Sequence, residues 1–443
     1  MRPSLFSCRE RIALAALPST IQDMTDGLLR YADAAALVAG EAQRLLQTKP
    51  ASEQISLWDA QGRVLAQPIV ADMDQPPFAR STRDGFAGRS AEINLHNPLQ
   101  IAGSTQAGDS PAGPLPTGAV WEIMTGAPVP EGADSVAMLE HTERSGQTVQ
   151  LRPPRTLQPG ENLVPRGAQA RSGERLIEAG ETLGPAHIAL AAACGQDELS
   201  VFARPRVAIL TTGDELVPVA AIPGPGQIRN SNAPMLAALV EAAGGEPWVL
   251  PAAKDSASAL DSAFAMALKA DMLLISGGVS AGKFDLVEPS LARRGAKFHF
   301  TGVRMQPGKP LVFGEVPRTA PEGLDPLSPV PFFGLPGNPI SSAVTFLLFG
   351  ACVLKALAGA RAREPRFMLA RLANDVKGKA GLTRFLPALW QSDPGLQAEP
   401  QVAHVPWHGS GDQAAFARAN GFLVVPEEID NLAAGTLVRV LLF

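Results

Sequence analysis

Cysteine is scarce: Cys8, Cys194 and Cys352 are the only three in 443 residues, odd in number and far apart, with no CxxC pair. That excludes a disulfide framework and a thiolate zinc cluster. It predicts buried, inert thiols and fits a reducing cytoplasm. Long apolar runs are lacking too, and none approaches the roughly 18 residues that span a membrane. Arg2, Arg9 and Arg11 precede only the short apolar stretch Ile12 to Leu17, less than a secretory signal carries. Residues 1–23 therefore read as a flexible N-terminal extension, with the folded chain starting near Met24. Excess basic charge is missing: the formal net charge is −5 and no basic stripe occurs, which excludes a nucleic-acid partner. No G-x-S-x-G elbow exists, so hydrolysis of that kind has no support. His404 and His408 lie four apart, but Pro406 between them breaks the helix that a zincin pair needs.

The chain has apolar content and punctuation in abundance. Hydrophobic residues make up 46% against 18% charged, enough to bury a core, and the length fits two to four domains. Glycine (42) and proline (40) predict many turns and several β-rich modules. Residues 26–47 carry an apolar stripe at helical spacing, from Leu28 and Ala32 to Ala42 and Leu46. From about residue 55 short apolar runs alternate with Gly and Pro, as small strands do. A second helix is predicted at 185–194, with Pro185 in its first turn. Residues 204–360 differ. Buried strands at 206–210, 248–250, 271–276 and 332–335 alternate with helices at 232–243, 256–270, 287–294 and 341–358. That alternation predicts a largely parallel sheet covered on both faces, a central three-layer α/β domain. The Pro-rich stretch 316–331 reads as an inserted loop. Residues 363–443 return to short strands and predict a separate β module.

Ligands in open α/β sheets bind beyond the carboxyl ends of the strands. After the first strand comes Thr211-Thr-Gly-Asp-Glu215. After the third comes Gly277-Gly-Val-Ser-Ala-Gly-Lys-Phe-Asp285, and after the fourth Pro336-Gly-Asn-Pro-Ile-Ser-Ser342. Gln306-Pro-Gly-Lys-Pro310 lies between them. Asp214, Glu215 and Asp285 are hard oxygen ligands suited to Mg2+. Gly277, Gly278 and Gly282 let backbone amides approach an anion, and Ser280 adds a hydroxyl donor. Pro336, Asn338, Pro339 and Ser341 open a helix whose first amides favour an anion, while Lys309 and Arg304 add positive charge. Each element alone also reads as a cap, a turn or a solvated surface. Their joint placement after successive strands points to phosphoryl or nucleotidyl chemistry. Gly277 to Lys283 also matches the start of a P-loop, but Phe284 stands where Ser or Thr must bind Mg2+. A P-loop-like nucleotide hydrolase is thus the lesser alternative.

Taken together, these loops resemble those of the molybdopterin molybdenumtransferase family, which includes the gephyrin E domain. The resemblance rests on Thr-Gly-Asp-Glu-Leu216, Ser-Gly-Gly-Val-Ser280, Pro-Gly-Lys-Pro310 and Leu-Pro-Gly-Asn-Pro-Ile-Ser341. It extends to Pro76-Pro-Phe78 with Asp84-Gly-Phe-Ala87, to Ile123-Met-Thr-Gly-Ala-Pro-Val-Pro130, and to Gly409-Ser-Gly411. It covers residues 26–443 and implies an elongated multidomain protein, α/β plus β. The implied parts are a discontinuous linker domain (24–70 and 169–203), an inserted β-rich domain (71–168), the α/β domain (204–360) and a C-terminal β domain (361–443). It implies a homodimer whose active site is shared between chains, with Asp84 and Thr125 donated across the interface. The implied substrates are molybdate and adenylylated molybdopterin, and the implied products are molybdenum cofactor and AMP. Mg2+ would sit on Asp214, Glu215 and Asp285. The loop 277–283, with Lys283, would hold phosphate, and Lys309, Arg384 and Ser410 the molybdate oxyanion. Other cofactor-biosynthesis proteins are further implied partners, and a non-catalytic scaffold of the same fold is the competing reading. Two departures stand out. Ala79-Arg-Ser-Thr-Arg83 replaces a less charged stretch before Asp84, and Gln306 stands where many relatives have lysine.

Overall fold

The computed structural model describes residues 27–48, 50–110, 113–278, 286–318, 328–361, 363–392 and 399–443. The chain falls into two compact units. One comprises Pro50–Ala203 with Gly359–Arg361; the other comprises Met1–Lys49, Arg204–Ala358 and Ala362–Phe443.

In the first unit the strands on either side of an insertion pair with each other. Ser52–Ser56 runs antiparallel to Glu198–Phe202, and Ile69–Val70 to Arg175–Ile177. Between them lies a six-stranded sheet. Its order is Ser135–Met138, Gly85–Gly88, Ala119–Ile123, Leu99–Thr105, Thr148–Leu151, Thr142–Ser145. Phe86, Val120 and Val149 alternate inward from it onto one apolar cluster, as period-two burial requires.

The second unit is built on another six-stranded sheet. Its strands are β1 (Arg206–Thr211), β2 (Glu246–Val249), β3 (Met272–Ser276), β4 (Lys297–Phe300), β5 (Val312–Val316) and β6 (Val330–Leu335). Their spatial order is β2-β1-β3-β6-β5-β4. The ladders from β2 to β6 are parallel, and β6–β5 and β5–β4 are antiparallel. Along β1, Val207 and Ile209 enter one core with Leu236, Val240, Val344 and Phe346. Ala208 and Leu210 enter another with Leu260, Phe264 and Leu291. Burial on both faces explains why β1, β3 and β6 read as unbroken apolar runs. In the apolar helix Pro339–Leu357, 83% of the residues of its most apolar stretch are buried, many of them in the core on this sheet. It takes a π turn at Phe346–Gly350.

The stretch 297–316, read from sequence without strands of its own, holds three. β4 and β5 make an antiparallel edge. Val303–Gln306 leaves that sheet and pairs parallel with Thr383–Gln391, putting Gln306 opposite Arg384. Thr383–Gln391, Gln401–His404, Phe367–Leu372, Leu437–Leu442 and Gly421–Val425 form a closed β-barrel, because the last pairs back onto the first. Leu372, Leu386, Val402, Leu423 and Val440 fill it. The helix predicted at 26–47 spans Tyr31–Leu45. It belongs to this second unit rather than with residues 169–203. Leu29–Arg30 pairs parallel with Val303–Arg304, and Ala34, Val38 and Ala42 pack into the α/β core.

Candidate active site

β1, β3 and β6 are adjacent and parallel, so the loops that follow them emerge side by side at their carboxyl ends. These loops line a single cavity of about 940 Å³. Gly213 and Glu215 come from the first, Gly277 and Gly278 from the second, and Pro336, Gly337, Asn338 and Pro339 from the third. Gly411 and Gln413 of the barrel close one side.

Local chemistry explains the convergence. Gly277 has φ +97°, and a Cβ there would lie 2.6 Å from the Thr212 carbonyl oxygen, so only glycine lets the loops of β1 and β3 touch. Its N–H donates to Leu335 O at 3.2 Å, which ties it to β6 but removes it from the amides expected to face an anion. Asn232, at the start of the helix Asn232–Ala242, donates through Nδ2 to Ser276 Oγ at 2.8 Å and to Gly337 O at 2.6 Å. It thereby fastens two of the loops together. Asn232 Oδ1 and Thr212 Oγ1 are buried with no hydrogen-bond partner among the described residues, and unsatisfied polar atoms at a cavity wall point to a polar ligand.

The acidic side of the cavity holds a residue that the sequence reading passed over. Asp255 lines the wall beside Glu215, and its N–H donates to Asp214 Oδ1 at 3.3 Å. Partial burial, then the charges of Asp214 and Glu215, push its carboxyl above the ordinary aspartate value. Two hard oxygen donors, Glu215 and Asp255, thus share the cavity wall near Asp214, although among the described residues the three carboxylates do not close into one cluster of ligand atoms as Glu41, His299 and Glu315 do. A signal for Asp255 was present, since it too follows a strand, β2. Its loop, however, carries no glycine signature. Asp285, the third expected ligand, lies outside the described residues, as do Ser280, Gly282, Lys283 and Phe284.

The expected cations are elsewhere. Arg304, Lys309 and Arg384 are not on the cavity wall. Lys309 is exposed, and its carbonyl accepts from Val303 N at 2.9 Å. Arg384 donates Nη1 to Lys377 O at 2.6 Å, while its Nε is buried without a partner among the described residues. Burial lowers its guanidinium from the ordinary value. Arg229, which the sequence reading did not single out, is the one lysine or arginine on the wall among the described residues.

Ser410 reaches the start of the helix Pro339–Leu357. Asn338 Nδ2 donates to its hydroxyl at 2.9 Å, and Ile340 N–H donates to its carbonyl at 3.0 Å. Because Pro339 has no N–H, the barrel loop takes up one of the few amides that this helix end offers. Ser341 is buried off the wall and accepts at its carbonyl from Thr345 Oγ1 at 2.7 Å.

Within the first unit, Asp84 and Thr125 are direct partners. Asp84 Oδ1 accepts from Thr125 N at 2.6 Å and from Thr125 Oγ1 at 2.8 Å. Those two bonds, the backbone one first, hold the Asp84 carboxyl below its ordinary value. Gly85, which follows Asp84, lets its strand pack close against Ser135–Met138, since any Cβ there would collide with Ala137 O.

Three family models match the chain in order. They are the MoeA N-terminal region (domain I and II) over residues 29–195, the "Probable molybdopterin binding domain" over 208–356, and the MoeA C-terminal region (domain IV) over 369–443. The molybdopterin molybdenumtransferases of Nostoc sp. and Bacillus subtilis are each 34% identical to it, over 403 and 412 residues. These alignments cover 89% of this chain in both cases and 90% and 91% of the relatives. The chain belongs to the molybdopterin molybdenumtransferase family. A solved molybdopterin biosynthesis MoeA protein from Pyrococcus horikoshii OT3 matches with a TM-score of 0.75 at 26% identity, covering 94% of this chain and 100% of that one. Family membership thus agrees with the resemblance carried by the strand-end loops, which are the loops that line the cavity.

Proposed function

We propose that this chain is a transferase of molybdenum cofactor biosynthesis, which inserts molybdate into adenylylated molybdopterin and releases AMP. The observation that carries the reading is the meeting of three strand-end loops at one cavity with carboxylates on its wall, in a chain of this family. Glu215 and Asp255, with Asp214 behind them, would hold Mg2+. The raised Asp255 carboxyl supports that fit, because a cation relieves the repulsion responsible for part of it. When bound, Mg2+ screens diphosphate charge and stabilises the phosphate that leaves.

The chain's own groups position the reactants. Asn232 and Thr212 offer buried polar atoms to the substrate. Gly278 and the loop beyond it, with Lys283, are proposed to take the phosphates, and Asp285 to join the carboxylates that hold Mg2+. Arg304, Lys309, Arg384 and Ser410 are proposed for the oxyanion. Arg384 supports this through a buried Nε that lacks an acceptor, the kind of donor that a tetrahedral oxyanion satisfies. No side-chain nucleophile is needed, since a molybdate oxygen or water can attack phosphorus. Asp84 and Thr125, a preformed polar pair on a separate unit, are proposed to complete the site of a second copy in a homodimer.

The test is incubation of the pure protein with adenylylated molybdopterin, Mg2+ and molybdate, following AMP and metal-bound pterin. Mg2+-dependent release of AMP is expected, and Glu215→Ala should slow it by roughly 100-fold or more. A protein that binds the pterin yet never releases AMP overturns the enzyme reading in favour of a scaffold.

A further inference from the structure

The cavity has to accept a diphosphate, yet its described wall carries carboxylates and one cation. That cation sits on an unusual flap. Two short strands, Leu216–Val217 and Ile228–Arg229, pair in parallel and put Arg229 opposite Val217. Ile228 N–H donates to Glu215 O at 2.9 Å, so Arg229 follows directly on the residue bonded to the acidic loop. Between the strands, Val219 and Ile222 are exposed, Ile222 by 89%, while Leu216, Pro223 and Ile228 face the cavity.

The guanidinium is oriented but not neutralised. Arg229 Nε donates to Ala221 O at 3.0 Å, and among the described residues its terminal nitrogens meet no carboxylate. Four other arginines of the same unit are engaged: Arg30 with Glu427, Arg44 with Glu41 and Glu315, Arg371 with Glu399, and Arg206 over the Trp248 ring. A guanidinium held by one nitrogen, with its fork free at a cavity wall, is arranged to bind phosphate bidentately. We infer that Arg229 is the nucleotide clamp of this cavity, holding the phosphate of the AMP half of the substrate opposite the carboxylates, with the flap's apolar residues under the base. Arg229 binds the substrate and takes no part in proton transfer.

This rests on the transferase reading, and calorimetric titration of the full chain with AMP and Mg2+ separates the two. Arg229→Ala and Arg229→Met should both weaken AMP binding about 10- to 100-fold. Arg229→Met keeps the stem over the flap, so its loss must come from the charge. Arg229→Lys should recover part of the affinity, and molybdate binding and the thermal midpoint should match wild type in all three. Wild-type affinity for AMP in Arg229→Met overturns the clamp. Loss of AMP binding together with a lowered midpoint in Arg229→Met also overturns it, in favour of a structural role for the flap. A wild-type protein that binds no AMP overturns the transferase reading itself.

Discussion

Asp255 is charged where charge is unwelcome. Its folded-state carboxyl is raised by burial and by Asp214 and Glu215, so the folded form takes up a proton before the unfolded one does. The resulting penalty is absent at low pH and grows as pH rises through the folded value. Asp255→Asn should therefore raise the thermal midpoint in chelator by roughly 1–3 °C and abolish the further rise expected of wild type on adding Mg2+. Differential scanning fluorimetry with and without Mg2+ reads both effects, and a variant that keeps the Mg2+ rise removes Asp255 from the metal set. His404 behaves in the opposite sense. Burial first, then the Arg384 charge, holds its imidazole below 6.5. The stability tied to its neutral form is fully present above about pH 6.5 and is lost as pH falls through the lower folded value. Urea midpoints should fall between pH 7.5 and 5.5, and His404→Gln should flatten part of that slope. An unchanged slope would assign it elsewhere, first to His299, which burial also lowers.

At the scale of elements, the chain's single tyrosine joins three of them. Tyr31, the first residue of the helix Tyr31–Leu45, sets its ring edge-on to Phe349 of the helix Pro339–Leu357 at 5.8 Å and to Phe385 of the barrel at 5.2 Å. Tyr31→Ala should cost about 3–5 kcal/mol of stability in denaturant unfolding, whereas Tyr31→Phe should stay within about 1 kcal/mol. Equal effects would mean that the hydroxyl, not the ring, holds the junction. The same elements separate what was legible in the sequence from what was not. β1, β3 and β6 are buried on both faces, so each is a continuous apolar run, and the loops after them carry glycine and proline signatures. The edge is different. Lys297-Phe-His-Phe300 is only partly buried and alternates polar with apolar, and Val303–Gln306 owes its strand geometry to a partner 78 residues away. Pairing of that kind leaves no local trace. Asp255 and Arg229 were hidden for a related reason: one sits in a loop and the other on a two-residue strand, neither with a motif of its own, and only the fold brings them to the cavity. Conversely, Lys309 and Arg304 stood out by position in sequence, and the described wall reaches only as far as the neighbouring Pro310.

At the scale of the whole molecule, candidate residues lie on two units of the chain: Glu215 and Asp255 on one, Asp84 and Thr125 on the other. If the site of one chain is completed by the first unit of another, two inactive variants can rescue each other. Glu215→Ala spoils the carboxylate side of its own chain, and Asp84→Ala spoils what that chain lends to its partner. In a mixed dimer one site then carries both lesions and the other carries neither. Random reassortment makes half the dimers mixed and each holds one intact site of two, so the mixture should release AMP at about a quarter of the wild-type rate. The two variants are mixed in equal amounts, dissociated in mild urea and reassembled, and sedimentation establishes the dimer before AMP is measured. If both halves of the site came from one chain, each site in a mixed dimer would carry one lesion and the activity would stay at the level of the single variants. Recovery thus requires donation across chains, and its absence in a proven dimer confines Asp84 to a role within its own unit, where its bonds to Thr125 already fix the turn.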